Sequence, residues 1–117
     1  MKSIRARELK DMMERRDDLQ VINVLERDAF EKEHVPGSTN VPLSRDDFAR
    51  AVEQQVGAQD GTVVVYCSSK ECTASPKAAR KLTEAGFSDV IHFAGGMAEW
   101  KTAGFDVETG AEATASR

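Results

Sequence analysis

The stretch over residues 62–86, TVVVYCSSKECTASPKAARKLTEAG, limits the fold more than any other part of the chain. Residues 63–66 form a β-branched and aromatic run, which reads as a buried strand. Ser75-Pro76 reads as a helix start: a side-chain oxygen at the N-cap, then a residue of fixed φ at the first helical position. Ala78, Ala79, Leu82 and Ala85 continue that helix, and Gly86 is placed to end it. Between them lies CSSKECTA, with Cys67 at the strand's end. In an open α/β sheet, ligands bind beyond the carboxyl ends of strands, and the free N–H groups of the next helix face the same space. Those donors and the helix dipole favour an anion, so a thiol there ionises more readily than a free cysteine. Position alone leaves two readings open: a thiolate nucleophile in an anion-binding loop, or an inert cysteine closing a core strand.

The remaining segments alternate. Residues 5–16 place Leu9, Met12 and Met13 at helical spacing among charges, which predicts an amphipathic helix broken by Asp17-Asp18. Val21, Ile22, Val24 and Leu25 predict a strand, and residues 28–33 one or two helical turns with Phe30 inward. Val35-Pro36-Gly37-Ser38 suits a type II turn, followed by a brief extended piece over 39–41. Ser44 is placed to cap a helix over 45–55, with Asp46 and Asp47 complementing its dipole and Phe48 and Val52 on its apolar face. A polar loop over 57–61 leads into the central strand. A short strand over 90–93, the Gly95-Gly96 turn and a helix over 97–103 carrying Trp100 complete the pattern. Strands alternating with helices predict a three-layer α/β/α fold around a mostly parallel sheet. One domain over 1–107 is expected, with a flexible tail over 108–117 that has no core residue.

Composition narrows the function. The 117 residues carry a formal charge of −4, which argues against nucleic acid and anionic membranes as partners. A small anionic substrate is still admissible, because a local pocket can oppose the global sign. Two cysteines five positions apart make no disulfide framework. With only two histidines, a four-ligand metal set would need His34 and His92 from distant segments, so no metal is expected. The opening MKSIRARELKDMMERRDD has no apolar run, so neither a signal peptide nor a membrane span is expected, and a reducing cytoplasm is the expected compartment.

Three motifs in register resemble rhodanese-like domains. Ile22-Asn-Val-Leu-Glu with Phe30 and His34-Val-Pro-Gly-Ser-Thr-Asn-Val-Pro resembles that family's opening signature. Val63-Val-Val-Tyr-Cys resembles its active-site strand, and Gly95-Gly-Met-Ala-Glu-Trp-Lys-Thr-Ala-Gly-Phe-Asp-Val its closing signature. Together they span about residues 20–107. The resemblance implies a rhodanese fold with the catalytic cysteine at Cys67. It also implies sulfurtransferase chemistry without a cofactor: the thiolate takes the outer sulfur of a donor such as thiosulfate, holds it as a persulfide and yields it to a thiol or protein acceptor. The substrate-binding loop is then Ser68, Ser69, Lys70, Glu71, Cys72 and Thr73, and a monomer or weak dimer is expected. The chain departs from the family at two places. Asn23 and Leu25 stand where an Asp and an Arg are usual, and Cys72 stands at the spacing of a frequent loop Arg, leaving Lys70 as the loop's cation.

The other singled-out residues have plain readings. Cys72 is open to three roles: resolving a Cys67 persulfide or sulfenate as an intraloop disulfide, relaying sulfur, or packing under the turn. Ser75 is assigned to capping. His34 is read as structural ahead of general base, and His92 as a residue that could approach the site from a neighbouring strand end. Two further functions compete: phosphatase chemistry, disfavoured for want of a loop arginine to grip phosphoryl oxygens, and a sensing or binding module that uses the Cys67/Cys72 pair without turnover.

Overall fold

The computed structural model describes residues 2–15, 19–57 and 61–110. In chain order the elements are β1 (Lys2–Ile4), α1 (Ala6–Arg15), β2 (Gln20–Asn23), α2 (Arg27–Lys32), β3 (Thr39–Asn40), α3 (Phe48–Val56), β4 (Thr62–Tyr66), α4 (Ala74–Glu84), β5 (Asp89–Phe93) and α5 (Gly96–Thr102). The five strands form one sheet in the order β1-β5-β4-β2-β3, and every pairing is parallel.

β4 lies at the centre and is buried at all five residues, because a strand covered on both faces has no side that can stay polar. Successive side chains point to opposite faces, and two cores result. On one face Val63, Val65 and Val90 pack with Phe48 and Val52 of α3 and with Ala78, Ala79 and Leu82 of α4. On the other, Val64, Tyr66, Ile91 and Phe93 pack with Leu9 of α1 and with Met97 and Trp100 of α5. The layers are therefore α/β/α. Each fully buried valine of β4 contributes roughly 1.5–3 kcal/mol relative to exposure, which fixes the central strand firmly beneath Cys67.

Local differences from the sequence expectation have local causes. β1 had no counterpart in the sequence reading: it is three residues long, and only Ile4 is buried. α3 begins at Phe48, with Asp47 at its N-cap, rather than at Arg45. Ser44 does not cap it, because its hydroxyl donates to Glu26 Oε2 at 2.7 Å, while Arg45 forks onto Asp47. The turn over 35–38 is as expected: Gly37 has φ +88°, and Ser38 N–H donates to the Val35 carbonyl at 3.0 Å.

At the far end, Glu108 exchanges two backbone hydrogen bonds with His34, and Gly110 N–H donates to the Glu31 carbonyl. The segment expected to be loose thus begins pinned against the α2 loop; residues 111–117 lie outside the described residues, as do Arg16, Asp17, Asp18 and 58–60. Among the described residues, no helix is long and apolar enough to cross a membrane.

Candidate active site

Cys67 follows β4 directly, with no exposed surface. Its carbonyl accepts from Met97 N–H at 3.0 Å, and the Ser68 carbonyl accepts from Ala98 N–H at 2.8 Å. The opening of α5 therefore clasps the start of the loop. Gly96 makes the approach feasible: its φ is +59°, and a Cβ there would run into the Cys67 carbonyl. The double glycine is a tight backbone turn, and it is the backbone contact that the cysteine loop leans on.

Cys67 and Cys72 are joined as a disulfide, with Cα atoms 6.4 Å apart, inside the usual bridging range. Cys72 N–H also donates to the Ser69 carbonyl, so the chain turns back within the loop and carries one sulfur to the other. In this state the polar atoms near Cys67 Sγ are the Ser75 hydroxyl oxygen at 3.3 Å and the Ser69 carbonyl at 3.9 Å. The ring of amide donors anticipated around the sulfur is replaced, among the described residues, by a hydroxyl and a carbonyl.

The capping assignment of Ser75 needs correction. α4 begins at Ala74 with Thr73 at its N-cap, so Ser75 lies inside the first turn and is 1% exposed. Its Oγ lies between Cys67 Sγ and His92 Nε2, the latter at 2.7 Å. His92 is half-buried on β5, level with Val65 of β4. Burial holds its imidazole below the usual histidine pKa, which favours the neutral form.

Four of the six loop residues border two clefts, while Cys72 is held in the disulfide and Thr73 at a helix end. Ser68 borders a cleft of about 410 Å³ that also meets Leu25, Lys32, Met97 and Lys101. Ser69, Lys70 and Glu71 border another of about 290 Å³ on the side of Arg5 and Glu99. Thr73 sits at the α4 N-cap without a side-chain capping bond. The cations at these rims are partly committed, Lys101 to Glu33 at 2.9 Å and Arg5 to Glu99 at 3.0 Å.

Behind the loop, the position that usually carries a charge holds a hydrogen-bonded amide. Asn23 Oδ1 accepts from Leu25 N–H at 2.9 Å, and Asn40 Nδ2 donates to the carbonyls of Asn23 and Leu25. His34 is structural: fully buried, stacked on Phe30 with ring centroids 3.8 Å apart, its Nδ1–H donating to the Phe30 carbonyl. Sequence reasoning missed Ser75 as a neighbour of the sulfur and Met97 and Ala98 as its backbone clasps. The available signal was a hydroxyl in the first turn after a strand-end cysteine.

Residues 5–103 match the family model of the Rhodanese-like domain. An HTH-type transcriptional regulator of Mycobacterium tuberculosis is 29% identical over 103 residues, covering 86% of this chain and 43% of that protein. The probable adenylyltransferase/sulfurtransferase MoeZ of M. tuberculosis is 32% identical over 98 residues, covering 84% of this chain and 24% of that protein. Among solved structures, a thiosulfate sulfurtransferase from Pseudomonas aeruginosa superposes with a TM-score of 0.82 at 26% identity, covering 94% of this chain and 20% of that one. The chain spans less than half the length of the curated relatives it matches.

Proposed function

The chain belongs to the rhodanese-like domain family, and from that premise we propose that it moves sulfane sulfur from an anionic donor such as thiosulfate to a thiophilic acceptor through a persulfide on Cys67. The observation that carries this reading is the position of Cys67, at the carboxyl end of the central strand with its carbonyl clasped by α5 and a cleft opening beside Ser68. Once the disulfide is reduced, the Cys67 thiolate attacks the outer sulfur of thiosulfate. A new S–S bond forms as the donor's S–S bond breaks, and the electron pair leaves with sulfite. An acceptor thiolate then takes the outer sulfur and returns Cys67 as thiolate. Ser68 borders one approach and Ser69, Lys70 and Glu71 the other, so Lys32 and Lys70 supply positive charge on either side of the loop, and Cys72 and Thr73 complete the proposed substrate-binding loop. The chemistry asks for no cofactor, and a reducing compartment such as the cytoplasm suits it. The test is sulfite release from thiosulfate with a thiol acceptor: wild type releases sulfite catalytically and Cys67→Ser does not. Equal release by both would overturn the reading.

The disulfide favours a second reading, a sensing pair without turnover. Here peroxide oxidises the Cys67 thiolate to a sulfenate, and Cys72 displaces hydroxide to form the disulfide. Reduced protein treated with mild peroxide then loses the mass of two hydrogens, and neither Cys67→Ser nor Cys72→Ser does. Sensing alone requires that change without sulfite release from thiosulfate.

A further inference from the structure

In the disulfide-bonded state Cys67 Sγ is buried, and the side-chain polar group nearest to it is the Ser75 hydroxyl. Cys67 has no exposed surface and Ser75 has 1%, yet Ser75 Oγ is 3.3 Å from Cys67 Sγ and 2.7 Å from His92 Nε2. His92 is the first group along that line with exposed surface. We propose that, once the disulfide is reduced, Ser75 and His92 form a proton relay that carries the Cys67 thiol proton to the His92 imidazole on β5. The inference rests on the sulfurtransferase reading only for what the thiolate does next.

The step balances within the three side chains. The S–H bond breaks with its electron pair left on Sγ, and Ser75 Oγ takes that proton as its own hydroxyl proton passes to Nε2. The thiolate and imidazolium then stand as an ion pair bridged by the serine hydroxyl, and the attraction within that pair is what holds the thiol ionised at neutral pH. Ser75 touches the reacting atom, while His92 acts through it as a positioning residue and base. A neutral imidazole is required, and burial favours that form.

Among the described residues, the charged side chains of the elements packed around the ring are exposed. α4 buries Ser75, Ala78, Ala79 and Leu82 and keeps Lys77, Arg80 and Lys81 exposed. β4 and β1 set Val65 and Ser3 beside His92. Asp89, on the same strand, is exposed and accepts from Thr62 Oγ1, and Lys70 and Glu71 of the loop are exposed.

The test is thiolate formation, followed by ultraviolet absorbance as the reduced, desalted protein is titrated with base, using Cys67→Ser as the blank. His92→Gln and Ser75→Ala each leave about tenfold less Cys67 thiolate at neutral pH than wild type. Circular dichroism checks that both are folded, and if Ser75→Ala is not, His92→Gln decides. A His92→Gln curve that superposes on wild type overturns the relay. Sulfite release on the same wild-type sample separates the two ideas. Shifted curves without sulfite keep the relay and remove sulfur transfer, whereas sulfite with superposed curves does the reverse.

Discussion

Gly96 is the residue on which the cysteine loop depends most narrowly. It holds φ at +59°, and any Cβ there would meet the Cys67 carbonyl, a backbone atom that cannot swing aside. Gly96→Ala is therefore expected to destabilise the fold by about 2–3 kcal/mol through strain and displaced backbone, seen as a lower denaturant midpoint, and to loosen the Met97 N–H bond to Cys67. An unchanged midpoint would mean that the loop does not rest on this turn. The place of Cys67 at the end of the central strand was legible because strand pattern and helix start flank it in sequence. The partners of its sulfur were less so. Thr73 and Ser75 are both acceptable caps, and propensity does not say which hydroxyl starts the helix and which turns inward. His92 reaches Ser75 only because β5 pairs with β4, a non-local fact that no sequence window contains. Cys72, with three readings open, meets Cys67 because the loop folds back through the Cys72–Ser69 backbone bond.

Helix ends show the same division between what is local and what is not. α3 closes at Gly57, whose φ is +90° and whose N–H donates to the Glu53 carbonyl at 2.8 Å. A Cβ there would meet nothing within 4 Å, so Gly57→Ala isolates the cost of the left-handed conformation. The expected loss is about 1 kcal/mol, read as a small drop in melting temperature, and a loss several times larger would point to packing that the open surroundings do not provide. The start of α3 was misplaced by three residues because Ser44 finds Glu26 on another segment, a tertiary partner that outcompetes a local cap. The strands were legible as apolar runs over 21–25, 63–66 and 90–93. β1 was not, since three residues with one buried side chain give no period to detect.

The whole molecule places Cys67 where the two cores meet the carboxyl edge of the sheet. Val65 and Cys67 belong to the core beneath α3 and α4, Tyr66 and Met97 to the one beneath α1 and α5, so the cysteine loop is anchored from both layers. The alternating pattern of elements predicted that layered architecture, and the all-parallel sheet with its neighbours of rhodanese type bears it out. The fold is settled by long-range apolar pattern; the proposed chemistry rests on a few atoms around one sulfur. The most direct test of the central claim is the intact mass of the reduced chain after incubation with thiosulfate and removal of the excess. The account predicts that wild type gains the mass of one sulfur atom and sheds it on addition of a thiol, while Cys67→Ser gains none. A wild type that takes up no sulfur, or a Cys67→Ser variant that still does, contradicts it.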